Sequence, residues 1–263
     1  MKFDDYVESK LKTQHFFYKK IHSGATNTDV ALPLLLNAKA NPLELTHTNE
    51  TNLFKLAKKN HFTTAFISIQ SEKSLEYIKP YLQTEHIDHY KSYTKKERDP
   101  KFDLLLFEKL KEIDFSKNNF TVLQQIGQHS PYYYFEGKRS DNQRINYERS
   151  IDYSFKLYDR IYHYLKNTQK AFVFIYVSDH GEFTGEDGHY GHNSFDPIIY
   201  NVPMFIVSDS ILPSTYKNIR SHYHLSQFLT YLLGYKKKLE FSERKSIVNG
   251  TMLSREDGFI EVQ

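Results

Sequence analysis

The sequence predicts an α/β domain with a mostly parallel central sheet and helices on both faces, and three observations carry this. Helical and strand-length apolar patterns alternate along the chain, as they do where strands are joined by crossover helices. Two runs, 171–177 and 202–207, are almost continuously apolar, as in strands covered on both faces. The polar residues able to do chemistry fall just after apolar runs, where ligands lie in such sheets. One domain over 1–263 accommodates all of this, with 240–263 as a loosely structured tail.

Taken in order, 49–60 places Leu53, Leu56 and Ala57 on one helical face, and 62–69 follows as an apolar, β-prone run. Residues 102–113 read as a helix and 120–126 as a strand. The clearest helix is 146–165, where Tyr147, Ile151, Tyr158, Ile161, Tyr162 and Leu165 recur at helical spacing. The two apolar runs come next, and 222–233 closes the series as a helix. Residues 135–144 are polar and charged, as an exposed loop would be, and no internal repeat is found.

Composition narrows the classes. With 39% hydrophobic and 25% charged residues in 263, the chain has the balance of a soluble globular protein. A net charge of +3 gives no field that would argue for nucleic acid. The absence of Cys excludes disulfides and thiolate metal sites. Residues 1–12 have no apolar core, so they read as no signal peptide, and the apolar runs are too short for a membrane helix.

Three segments carry the chemistry. Ser178-Asp179-His180-Gly181-Glu182 follows the 171–177 run. A carboxylate beside an imidazole at a strand end supplies one oxygen and one nitrogen ligand suited to Zn²⁺. Gly181 would let the chain turn sharply, so that both side chains converge on one ion. An isolated Asp-His pair is more often a helix cap next to a surface histidine, but the buried strand in front and the Gly-Glu behind reverse that. His189 and His192 sit in the Gly-rich stretch 185–192, a loop that can fold back over the strand ends, and His129 follows the 120–126 strand in Gly127-Gln128-His129-Ser130-Pro131. Each of these, alone, is more commonly a solvated loop histidine, and what raises all three is their shared edge of the sheet.

The third segment is Ser23-Gly24-Ala25-Thr26-Asn27-Thr28, leading into an apolar run that reads as a helix starting at Thr28. A hydroxyl there meets free N–H groups and the positive end of the helix dipole, which favour bound phosphate. A neighbouring metal ion would lower its pKa and make it a nucleophile. The plainer reading is an ordinary Thr N-cap. Pro33, five residues on, points to a short or broken helix.

The ordered set G-A-T-N-T-x-x-x-x-P, G-x-H-x-P, S-D-H-G-E, G-E-x-G-x-Y-x-H and N-V-P-M-F resembles the catalytic domain of the bacterial phosphoethanolamine transferases that modify lipid A and other surface glycans, members of the sulfatase and alkaline phosphatase superfamily. The likeness spans about 23–235. It implies an alkaline-phosphatase/sulfatase-like fold and Zn²⁺ as cofactor. By the same resemblance Thr28 matches the catalytic nucleophile and a metal contact, Asp179 and His180 match metal ligands, and His129 and His192 match groups that hold the phosphoryl or a second zinc. His189 has no counterpart. The implied reaction moves phosphoethanolamine from phosphatidylethanolamine to a lipid A or glycan hydroxyl through phosphoethanolamine-threonine. Family members are inner-membrane proteins whose catalytic domain is periplasmic.

The sequence also departs from the pattern. The family's further zinc-binding Glu, in a V-G-E-S-type motif ending a first strand, has no equivalent in the 27 residues before Thr28; Val7-Glu8-Ser9 imitates it inside a polar, helix-like stretch. The membrane-embedded N-terminal region is missing as well. Three expectations follow: a fragment of a membrane transferase, a soluble phosphodiesterase- or sulfatase-like hydrolase that transfers to water, or a degenerate domain that acts by binding. A missing first strand would leave a sheet edge for dimerisation to cover, and the lost ligand would weaken the zinc site.

Overall fold

Two three-stranded sheets form the centre of the protein. The computed structural model describes residues 16–37, 51–98, 101–169, 171–209, 214–235 and 245–263. The Met1 start, Val7-Glu8-Ser9, the first two residues of the helix expected at 49–60, and the 240–244 start of the tail lie outside these residues.

One sheet has the order β1 (Phe16–His22), β8 (Asn201–Ser208), β5 (Val173–Val177), with β8 antiparallel to both neighbours. The other has the order β3 (His89–Lys91), β2 (Thr63–Ser68), β4 (Asn119–Gln124), all parallel. The expectation of a mostly parallel sheet therefore holds for one sheet and is corrected for the other. The physical reason is that an apolar run buried on both faces reads the same in either direction, so composition does not encode strand polarity. β1 was not anticipated either, because its Lys19-Lys20 pair interrupts the apolar pattern. It stands at a sheet edge and ends in His22.

Helices cover both faces. Along β8, Phe205 and Val207 pack into the core beneath α4 (Gln143–Thr168) and α3 (Leu104–Leu110) with Tyr158, Ile161 and Leu106. The alternate residues Met204 and Ile206 face α5 (His222–Leu232) through Leu225 and Phe228. This is the period of two expected of a pleated strand. In the parallel sheet Ala65 and Ile67 join the first core, while Phe66 points the other way to Leu53 and Phe54 of α2 (Leu53–Lys59). A fully buried Phe or Leu contributes about 1.5–3 kcal/mol relative to exposure, so these two layers hold the strand ends in place.

The direction of the strands decides where chemistry can happen. β1 and β5 end, and β8 begins, at one edge: His22 pairs with Asn201 and Val177 with Met204. A two-stranded hairpin of β6 (Phe183–Thr184) and β7 (Tyr190–Gly191) rises from that edge.

The C-terminal segment is not a loose tail. Over its described part, β9 (Ser246–Asn249) and β10 (Phe259–Val262) pair antiparallel, and Val248 and Asn249 are fully buried. Asn249 donates its backbone N–H to Gly24 and accepts from the Thr26 N–H, at 2.9 and 3.0 Å. This short, polar stretch is ordered by a partner distant in sequence, which local periodicity does not reveal.

Candidate active site

The loop leading out of β1 is fixed before Thr28 is reached. Buried Ser23 donates its hydroxyl to the Asp179 carbonyl. His222, at the first position of α5 and fully buried, accepts from the Gly24 N–H at 3.2 Å through Nδ1 and donates Nε2–H to the Ser178 carbonyl at 2.9 Å. One neutral imidazole thus ties the loop before Thr28 to the end of β5. Burial drives its pKa down to about 4.

Helix α1 runs from Thr28 to Leu36. Asn27, not Thr28, is its N-cap, accepting the Val30 N–H at 3.2 Å. That corrects the plain reading of Thr28 as the cap and leaves its hydroxyl free to point away from the helix. At nine residues α1 is short, as expected, but Pro33 does not break it: the helix continues to Leu36. Proline removes one N–H and crowds the preceding turn, but here it lies buried against the core among Leu32, Leu35 and Leu36. Asn37 also closes the helix end by donating Nδ2–H to the Pro33 carbonyl at 2.7 Å.

The Thr28 hydroxyl donates to Asp179 Oδ2 at 2.5 Å and lies 3.3 Å from His180 Nε2. His180 Nδ1 is 2.8 Å from the Gly181 carbonyl, so that nitrogen carries the proton and Nε2 presents its lone pair. Asp179 Oδ1 accepts the His180 backbone N–H at 3.0 Å. Burial opposes the charge on Asp179, but His180 and the Thr28 hydroxyl outweigh it and hold the carboxyl below its ordinary value. Gly181 is required for a different reason from the sharp turn expected of it: a Cβ there would stand 2.1 Å from the Ile198 carbonyl oxygen.

His192 follows β7 and folds back onto the site, its ring 4.2 Å from that of His180. Nδ1 is held by the Thr26 carbonyl at 2.9 Å, which leaves Nε2 exposed to a ligand. Burial first, and the neighbouring His180 imidazole second, lower its pKa. His129 stands at the rim, exposed, with Nδ1 2.6 Å from the carbonyl of its own neighbour Ser130. Its loop is anchored by buried Asp103, whose carboxylate accepts the Ile126 and Gly127 N–H groups at 2.9 and 3.0 Å. His189 lies outside the cluster, exposed and against Phe183.

The structure therefore brings Thr28, Asp179, His180 and His192 together and leaves His129 at the edge. It adds two groups that sequence reading passed over, His222 and Asn249. The only signal for His222 was a histidine just after Ser221, the N-cap of α5. Two acids also border the site: burial raises the pKa of Asp29 and of Glu182, and the charge of Asp179 raises both further.

The Asp179 oxygen, the His180 lone pair and the Thr28 hydroxyl converge, with His180 Nε2 3.7 Å from Asp179 Oδ2. The backbone bond to Nδ1 is the support that zinc-binding histidines use. Among the described residues no third His, Asp or Glu completes a cluster able to hold a metal ion. The donors fit one side of a zinc site.

A hydroxyl at a helix start, facing an Asp-His pair at a strand end of an α/β sheet, defines a class. The chain belongs to the sulfatase family, whose profile matches residues 5–235. No curated protein sequence matches it. Among solved structures it is similar to the C-terminal periplasmic domain of the phosphoethanolamine transferase EptC from Escherichia coli, also solved as a complex with Zn (TM-score 0.76, 16% identity, 98% of this chain and 84% of that one). The corresponding EptC domain from Campylobacter jejuni is similar too (TM-score 0.66, 20% identity, 86% and 79%). So is the phosphonate monoester hydrolase of Agrobacterium radiobacter (TM-score 0.53, 15% identity, 82% and 66%). At these identities the likeness is one of fold.

Proposed function

We propose that the chain is the catalytic part of a phosphoethanolamine transferase acting at a membrane surface, with phosphatidylethanolamine as donor and a lipid A or other glycan hydroxyl as acceptor. The observation that carries this reading is the Thr28 hydroxyl on the first residue of α1, 2.5 Å from Asp179 and 3.3 Å from His180. The EptC folds support the choice of phosphoryl group. Among the described residues no helix is long and apolar enough to cross a membrane.

In the first step the Thr28 oxygen attacks the donor phosphorus, the bond from phosphorus to the diacylglycerol oxygen breaks, and phosphoethanolamine remains on Thr28. In the second, the acceptor oxygen attacks phosphorus and Thr28 leaves. Asp179 orients the hydroxyl, takes its proton as the Thr28 oxygen attacks, and returns it when Thr28 leaves. The free N–H groups at the start of α1 face the phosphoryl oxygens. His192 offers Nε2 to the departing diacylglycerol oxygen as a proton donor and to the incoming hydroxyl as a proton acceptor. A phosphodiester anion beside it restores the proton that burial disfavours. Zinc, held by Asp179, His180 and Thr28, would lower the pKa of the Thr28 hydroxyl.

Incubation with zinc and a fluorescent phosphatidylethanolamine is expected to release diacylglycerol and to leave phosphoethanolamine on the Thr28 peptide by mass spectrometry. Thr28→Ala removes both products. Release of free phosphoethanolamine with no acceptor modified would instead establish the hydrolase. If Thr28→Ala still turns over the donor, the nucleophile is misassigned.

A further inference from the structure

The two sheets lie in one layer but do not join. β5 is an edge of one and β4 an edge of the other, and among the described residues neither makes a backbone hydrogen bond on its open side. Helices bridge the opening from both faces. The Tyr158 ring of α4 lies 4.8 Å from that of Tyr176 in β5, and its hydroxyl donates to Gln125 Oε1, one residue past β4, at 2.8 Å. That bridge spans about 10 Å at most, the room one strand takes at about 4.8 Å from each neighbour. On the other face Leu229 of α5 packs against both the core that holds Val122 of β4 and the core that holds Ile175 of β5. The pleats agree across the opening: Leu123 and Tyr176 face α4, and Val122 and Ile175 face the opposite way.

Composition sets these two edges apart from the outer ones. The outer edge β1 carries Lys19-Lys20, and the outer edge β3 is three residues long and carries Lys91. Charge and shortness are the usual guards of an edge strand. Neither β4 nor β5 has a charged residue or a proline. The run Val173–Val177 is apolar throughout, as in strands paired on both sides and covered on both faces. Yet every residue of β4 and β5 is partly exposed, whereas Phe66 in β2 and Phe205 in β8 are fully buried.

We propose that this opening accepts an extended apolar segment of a partner polypeptide, which pairs with β4 and β5 and joins the two sheets into one. Strand addition of this kind takes its affinity from main-chain hydrogen bonds and its selectivity from the pockets on each face. The segment is five or six residues long, to match its neighbours, and apolar on both faces, since it meets Tyr158 on one side and Leu229 on the other. The parts of this chain outside the described residues do not hold such a run: 1–15, 38–50, 210–213 and 236–244 have no more than two apolar residues in succession. Residues 1–15 also join β1, which β8 separates from β5. A second copy offers the same segments. Because Asp179 follows one wall and the His129 loop follows the other, the partner strand also fixes the distance between those two parts of the site.

Hydrogen exchange read by mass spectrometry on the full chain tests this. The probe is a synthetic peptide of six valines and isoleucines flanked by lysines for solubility, and its control carries two prolines within the apolar run. The probe is expected to bind one to one and to slow exchange in 119–124 and 173–177, leaving β1 and β3 unchanged. The proline peptide is expected to bind about tenfold more weakly or worse, because it loses ladder donors. No protection of β4 and β5, protection of β1 or β3 instead, or equal binding of the two peptides overturns the proposal. So does a dimer of the chain alone that protects β4 and β5, since the occupant would then be a second copy.

Discussion

Asp179 and His180 are fixed by backbone groups on several sides, whereas His129, which the resemblance puts in the same site, hangs on its own loop. The pair sits where β5 ends, with Ser23 on the Asp179 carbonyl, Gly181 on the His180 ring, and buried His222 bonded to the residue before. His129 is exposed and bonded to Ser130. The difference teaches that one corner of this site is held by partners from several elements, while the His129 ring at the rim is bonded only within its own loop. Pre-formed donors cost no reorganisation at the moment of reaction; a loop side chain must be ordered by the substrate first.

Mutations can break that comparison. The largest effect is expected from Asp179→Asn, which keeps the shape but removes the charge facing Thr28. Thr28 labelling should slow by about 10²–10⁴-fold, measured by intact mass over time. His222→Ala should leave the Gly24 N–H and the Ser178 carbonyl unpaired, costing about 3 kcal/mol by denaturant unfolding, with Gln partly restoring it. A full-strength protein after His222→Ala would mean that the tie is ornamental.

The pH dependence sharpens the same point. His222 is neutral when folded because its pKa lies at about 4, while the unfolded chain returns it to about 6.5. Above 6.5 it is uncharged in both states and contributes nothing to the slope. Below 6.5 the unfolded state binds the proton first, so stability falls as pH drops toward 4, by about 3 kcal/mol in all. Replacing His222 by Gln should flatten that part of the profile; an unchanged slope would place the proton elsewhere.

Gly181→Ala must push the Ile198 carbonyl away and is expected to cost about 1–3 kcal/mol together with most of the labelling rate. The smallest effect is expected at the rim: His129→Ala should slow labelling by about tenfold or less and leave the melting temperature unchanged. If it matches Asp179→Asn, the rim is as pre-formed as the corner, and the comparison fails.

Much of this was legible. Helices at 146–165 and 222–233 and strands at 171–177 and 202–207 appear within a few residues of the expected bounds, because each must bury a face and the periodicity records it. Asp179 and His180 stood out because a carboxylate and an imidazole meet a glycine at a strand end, whereas Thr28 and His192 were singled out only by the resemblance. The rest was not legible. Whether β8 ran with or against its neighbours, and that the stretch around Asn249 holds the loop before Thr28, depend on partners distant in sequence.

The cleft between the start of α4 and the β6–β7 hairpin shows the division most plainly. The sequence by itself determined two loops, 135–144 and 185–192, and a candidate site at the ends of apolar strands. Only the tertiary structure decided that those loops face each other across one cavity and that Arg144 meets Glu186. The physical reason is that periodicity reports which side of an element is buried, a local property, while a site is a meeting of loops whose positions are set by the sheet beneath them.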